Sequence, residues 1–207
     1  AAVAKIGSHE WPQTYTNAVR ELFTAIADAL GRPLGDDYRE FLVEIPSVAR
    51  MIAATLQNTA NPTMLEAGYK ANVIPKEASA VVDGRFLPGH EAALNETIAQ
   101  IVGPDIKIET VTHDIALEVP FEGPLVEAMK ASILRLDPEG IPVPYLMSGG
   151  TDNKALSELG IVGYGFSPLK LPADLDFMAL FHGVDERVPL ESLEFGVNSL
   201  QDCLLNS

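Results

Sequence analysis

Residues 63–89, TMLEAGYKANVIPKEASAVVDGRFLPG, hold two extended runs, 63–74 and 77–87, joined through the Pro75-Lys76-Glu77 stretch. Proline cannot donate to a strand ladder, so it marks the break between the runs, and together they predict an antiparallel hairpin. Alternation along the second run puts Asp83 and Arg85 on one face and Val82 and Phe86 on the other. Upstream, Val19, Leu22, Phe23, Ile26 and Leu30 recur at helical spacing after Pro12-Gln13-Thr14, and Gly31-Arg32-Pro33 ends the pattern. A less regular helical stretch over 48–56 leads into the hairpin. Downstream, PGHEAALNETIAQIVG (88–103) sets Leu94, Ile98 and Ile101 on one helical face, and DIKIETV (105–111) alternates as a further strand.

The order is helix, strand, strand, helix, strand. One more strand in front would complete a split βαβ, or ferredoxin-like, arrangement, with helices on one face of an antiparallel sheet. The opening AAVAKIGSHEWP lacks an initiator methionine and reads as the end of a helix, which points to a piece of a longer chain. From about Val119 the pattern changes. A helix with Leu125, Met129 and Ile133 precedes a strand IPVPYLM (141–147), a helix after GGTDN, a strand IVGYGF (161–166) and a final helix with Leu193, Val197, Leu200 and Leu204. Strands alternating with helices predict an α/β layer with a parallel sheet. The expected organisation is a ferredoxin-like domain over 1–118, its first strand missing, then an α/β segment over 119–207, with the boundary at EVPFEG.

The 207 residues are 47% hydrophobic, ample for buried cores. A formal net charge of −15 without a basic run disfavours nucleic acid and anionic membrane surfaces as partners. The one cysteine, Cys203, excludes an intrachain disulfide and suits a reducing compartment such as the cytoplasm, although secretion without disulfides is also compatible with it. No run reaches the roughly 18 apolar residues that a membrane helix needs.

Four stretches carry possible chemistry. Asn72, in ANVIP, fits ordinary turn chemistry or a substrate contact. Arg85, in VVDGRFLPG, is either half of a surface ion pair with Asp83 or a planar fork for a substrate carboxylate. In MSGGTDNKA, Gly149 and Gly150 allow close backbone approach and Thr151 or Asp152 can cap the helix that follows, although an ordinary strand-to-helix turn looks the same. His182, in FHGVDERVP, is a loop histidine or a metal ligand. The four histidines, His9, His90, His113 and His182, show no HxH, HxxxH or HExxH spacing, so the sequence contains no complete metal site.

Taken in succession, GYKANVIP, VVDGRFLPG, MSGGTDNKA, GIVGYGFSP and FHGVDERVP resemble the C-terminal half of the co-catalytic zinc hydrolases that include aminoacylase, carboxypeptidase G and succinyl-diaminopimelate desuccinylase. The likeness runs from about residue 13 to the end. It implies a catalytic α/β domain holding two zinc ions, interrupted by a ferredoxin-like lid that often forms a homodimer interface. This chain would carry most of the lid and the returning part of the catalytic domain. The resemblance makes His182 the last zinc ligand and Asn72, Arg85, Gly149, Gly150 and Thr151 substrate contacts. The general base and the other metal ligands would precede Ala1, so the isolated chain is expected to be inactive and to bind no zinc tightly. The implied reaction is hydrolysis of an amide or peptide bond in a small N-acyl amino acid or dipeptide-like molecule by a zinc-activated water. Lys154 departs from the pattern, since aminoacylase-like members carry arginine there, and a point charge does not replace a bidentate fork. The alternative is a stand-alone, non-catalytic dimerisation or binding module of the same fold.

Overall fold

The computed structural model describes residues 1–181 and 183–207, and only the backbone of residues 47 and 48. Strands β1 (Thr59–Ala67) and β2 (Ala78–Arg85) pair antiparallel, with Thr59 opposite Arg85 and Ala67 opposite Ala78. The hairpin therefore forms, but its first strand starts and ends earlier than expected, leaving 68–77 as the connection. Gly68, at φ +74°, turns the chain out of the extended region at no steric cost, and the Val73 N–H closes a turn onto the Lys70 carbonyl at 3.2 Å. The register slips between Pro62 and Met64, where proline has no N–H to give and Thr63 becomes an extra residue. After the slip Met64 lies opposite Val81, on the face that carries Asp83 and Arg85, and it is 67% exposed.

Helices α1 (Ala2–Gly7) and α5 (Glu91–Val102) cover the other face. Ile6, Trp11, Ala60 and Leu94 are buried there, ringed by Val82, Phe86, Ile98, Ile101 and Val102. The stripe expected on α5 and the inward face expected of β2 thus meet. Gly84 makes the close approach possible: a Cβ at that position would sit 3.1 Å from Leu94 Cδ2. Asn58 locks the assembly. Its Oδ1 accepts from the Leu87 N–H at 2.9 Å and its Nδ2 donates to the His90 carbonyl at 3.1 Å, fastening the entry of β1 to the turn between β2 and α5.

Ala1–Thr16 and Ala54–Leu117 form one compact unit, and Asn17–Ala53 groups with Glu118–Ser207 in another. In the first, the Thr14 N–H reaches the Leu56 carbonyl at 2.8 Å beside an antiparallel bridge between Gln13 and Gln57. The chain thus leaves and re-enters this unit at adjacent points, so the intervening residues fold apart from it. The helix expected over 19–30 forms as α2 (Asn17–Leu30), but it is not the helix on the hairpin; α1 takes that place. The reason lies in its own stripe. Val19, Leu22, Phe23 and Ala27 are buried, and Phe23 stacks on Tyr38 at 4.8 Å and meets Phe41 edge-on at 6.4 Å. These partners lie between α2 and the end of α3 (Arg39–Leu42), which precedes α4 (Pro46–Ala53). The Glu118 carboxylate accepts from the Ala18 N–H at 2.8 Å, satisfying a donor in the first turn of α2.

The rest of the second unit contains α6 (Pro124–Leu136), α7 (Asn153–Glu158), α8 (Phe177–Leu180) and α9 (Leu190–Asn206). Val126, Ala128, Met129 and Cys203 are buried together, with Phe121, Tyr164 and Phe166 against them. Ser132 and Ser199 are wholly buried and satisfy each other across α6 and α9, Oγ to Oγ 3.2 Å. Arg135 on α6 and Asp202 on α9 form an ion pair, and the Asp202 hydrogen bond holds the Arg135 guanidinium above its ordinary pKa.

Three expected strands do not form. DIKIETV, IPVPYLM and IVGYGF are irregular, and the hairpin is the only sheet among the described residues. The chain is mixed α/β with a small antiparallel sheet, and among the described residues neither the four-stranded ferredoxin-like sheet nor the parallel layer is seen. A strand is stable only with a partner on its edge and cover on its face. Here Ile108, Ile141 and Val162 remain 52%, 62% and 60% exposed. Among the described residues no helix is long and apolar enough to cross a membrane.

Candidate functional site

Arg85 closes β2, opposite Thr59. Its Nε donates to Asp83 Oδ2 at 3.0 Å, two residues back on the same outward face, and its side chain is 59% exposed. Alternation placed the pair correctly, and the core packing of Val82 and Phe86 on the other face keeps the guanidinium pointed away from α5. Asn72 lies in the exposed 68–77 connection at the other end of the hairpin. Seven residues of β2, at about 3.3 Å each, put about 23 Å of strand between Arg85 and the start of that connection. The structure does not bring these two residues together, although both belong to the first unit.

Gly149, Gly150 and Thr151 are exposed and lead into α7 in the second unit. The Lys154 N–H donates to the Thr151 carbonyl at 3.1 Å and the Leu156 N–H to the Asp152 carbonyl at 3.0 Å. Asp152 is the capping residue but makes no side-chain cap bond, in contrast to the expectation that its side chain could cap the helix. Its backbone is already helical, at φ −59° and ψ −18°, whereas a side-chain cap needs the extended conformation that swings the oxygen back over the first turn. Lys154 occupies that turn.

His182, expected as a metal ligand, lies outside the described residues. Among those that are described, no three His, Cys, Asp or Glu side chains gather closely enough to hold a metal ion. The described donors therefore do not complete a metal site by themselves. His113 Nε2, for example, meets Glu91 Oε1 at 2.8 Å.

Residues 5–108, which run from the end of α1 through α2, α3, α4 and the hairpin to α5, match the peptidase dimerisation domain of M20 peptidases. The chain belongs to the M20 peptidase family. Among curated M20 proteins it is 27% identical over 206 residues to the probable carboxypeptidase S-like 2 of Dictyostelium discoideum, covering 92% of this chain and 38% of that protein. It is 27% identical over 222 residues to the N-fatty-acyl-amino acid synthase/hydrolase PM20D1 of Xenopus tropicalis, covering 100% and 42%. With human PM20D1 the identity is 26%, over 74% of this chain and 32% of that one. The chain spans about two fifths of the length of the first two relatives. No solved structure matches it.

Sequence reasoning missed Asn58, whose two hydrogen bonds hold β1 to the turn that follows Arg85. Position 58 precedes a strand and carries a common turn former, so its role is visible only once residues 87 and 90 are beside it.

Proposed function

We propose that this M20 chain works as part of a longer zinc-dependent hydrolase that cleaves an amide or peptide bond in a small N-acyl amino acid or dipeptide-like substrate. Residues 1–118 serve as lid and homodimer interface, and residues 119–207 return to the catalytic domain. The observation that carries this reading is the match of residues 5–108 to a peptidase dimerisation domain, in a chain whose relatives include proteins named for hydrolysing N-fatty-acyl amino acids. Zinc would activate the attacking water when bound, with His182 as one ligand. The described residues make no metal cluster of their own.

This chain's own contribution is to bind and orient. Arg85 offers a planar guanidinium to the substrate carboxylate, in exchange for part of its exposed pairing with Asp83. Gly149, Gly150 and Thr151 line the substrate through backbone groups. Asn72 lies too far along the hairpin to share one carboxylate with the Arg85 of its own chain. Both residues therefore serve one substrate only if they come from different copies in the dimer, which gives the lid's self-association a catalytic purpose.

Release of free amine from N-acyl amino acids of short and long acyl chain tests the reading. The complete protein containing this chain is expected to turn over such substrates and to lose activity with a chelator. The isolated 207-residue chain is expected to do neither, and to lose added zinc on gel filtration. Zinc-dependent turnover by the isolated chain, well above a His182→Ala control, would overturn the assignment of the remaining machinery to other segments. Absence of turnover by the complete protein would leave the non-catalytic dimerisation module as the surviving alternative.

A further inference from the structure

Helix α7 ends on Gly160, at φ +75°. The Gly160 N–H donates to the Ser157 carbonyl at 2.9 Å and the Ile161 N–H to the Leu156 carbonyl at 3.1 Å. This left-handed cap reverses the chain within a few residues, so that the segment after it returns along α7 and brings Gly163 against Asn153, the first residue of the helix. The approach is closer than a side chain at 163 allows unless the Asn153 amide moves. A Cβ on Gly163 would overlap Asn153 Oδ1, lie 2.6 Å from its Cγ and 3.2 Å from its Nδ2.

We propose that Asn153 is a positioning residue. Its amide, seated on the bare Cα of Gly163, fixes the start of α7 and with it the Gly149–Gly150–Thr151 turn immediately before. Only Asp152 separates the turn from the seated residue, and the Thr151 carbonyl is tied to the Lys154 N–H one residue beyond it. A shift of Asn153 therefore moves the backbone atoms that would line the substrate. The glycine is required for its absent Cβ rather than for conformational freedom, since its φ is not in the left-handed region. This inference rests on the reading of residues 149–151 as substrate contacts.

The test is a space-exchange cycle in the complete protein: Gly163→Ala, Asn153→Ala and the double variant, each followed by amide NMR of Gly149, Gly150 and Thr151 and by steady-state kinetics. Gly163→Ala is expected to shift those three amides and to raise KM on the order of tenfold, with little change in kcat, since misplaced binding groups weaken ground state and transition state alike. In the Asn153→Ala background the same methyl is expected to cost nothing further, because the vacated space accepts it. Should Gly163→Ala not fold, Asn153→Ala alone must move the same amides and KM. Additive effects, or unmoved amides, overturn the interlock, while a KM increase in Thr151→Gly then shows that the turn still binds substrate. Amides that move with KM unchanged overturn the positioning role together with the assignment of 149–151 to substrate.

Discussion

Replacing Asn58 isolates the contact that holds the first unit together. The residue is 9% exposed and its side chain makes two bonds, from the Leu87 N–H and to the His90 carbonyl. The two losses are unequal. The His90 carbonyl also accepts from the Leu94 N–H at 3.1 Å, so it stays satisfied, whereas the N–H of Leu87, a residue 4% exposed, loses its acceptor. Stranding that donor costs about 1–3 kcal/mol and the other bond about 1 kcal/mol more, so Asn58→Ala is expected to destabilise the unit by about 3 kcal/mol. With a slope of about 2 kcal/mol/M in urea, the midpoint falls by about 1.5 M. The chain's single tryptophan, Trp11, lies in the same core, so its fluorescence reports this unit directly. Asn58→Asp adds a test of sign. The ionised carboxylate still accepts from Leu87 but faces the His90 oxygen, while the protonated form restores the donor. Burial and that oxygen both favour the neutral acid, raising its pKa in the folded state. The stability contributed by the protonated group is then complete below the unfolded carboxylate pKa of about 4 and lost as pH rises through the folded value. The gap between Asn58→Asp and the parent should therefore widen from pH 4 to pH 7. A midpoint shift under about 0.3 M for Asn58→Ala, or a pH-independent gap for Asn58→Asp, would refute the reasoning.

The remaining predictions concern assembly and binding. In the complete enzyme Arg85→Lys is expected to lose about 1.5–3 kcal/mol of transition-state binding, read from kcat/KM, because an ammonium cannot make the paired bonds of a guanidinium. Unchanged kinetics would reduce Arg85 to the surface partner of Asp83. The isolated chain is expected to dimerise through residues 1–118, pairing exposed strand edges; at about 0.15 M salt the screening length of about 8 Å keeps its net charge of −15 from preventing this. A monomeric mass in sedimentation equilibrium at tens of micromolar rejects the dimer, and contacts confined to 119–207 reject its mode. If Asn72 and Arg85 serve one site from two copies, mixing and re-annealing the Asn72→Ala and Arg85→Ala enzymes restores about a quarter of the parent activity, since half the dimers are mixed and each has one intact site. No recovery would mean that the two residues act on separate sites or in the same copy.

What the sequence determined by itself is what depends on neighbours along the chain. Helical stripes at residues 19–30, 94–101 and 193–204, and the two extended runs broken at Pro75, are local patterns, and α2, α5, α9 and the hairpin follow from them. The succession of short motifs was enough to indicate the peptidase family, because their order survives where each motif alone is ambiguous. The tertiary structure decided everything that needs a distant partner. It set α1 rather than α2 on the hairpin, because the aromatic partners of Phe23 lie at residues 38 and 41 while residues 13–14 and 56–57 close the fork beneath. It left 105–111, 141–147 and 161–166 irregular, because alternation makes a segment able to be a strand and only an adjacent edge makes it one. It also placed Asn72 and Arg85 at opposite ends of one hairpin, and Asn153 on the bare Cα of Gly163, since strand register and side-chain volume act only when the chain has brought the two sides together.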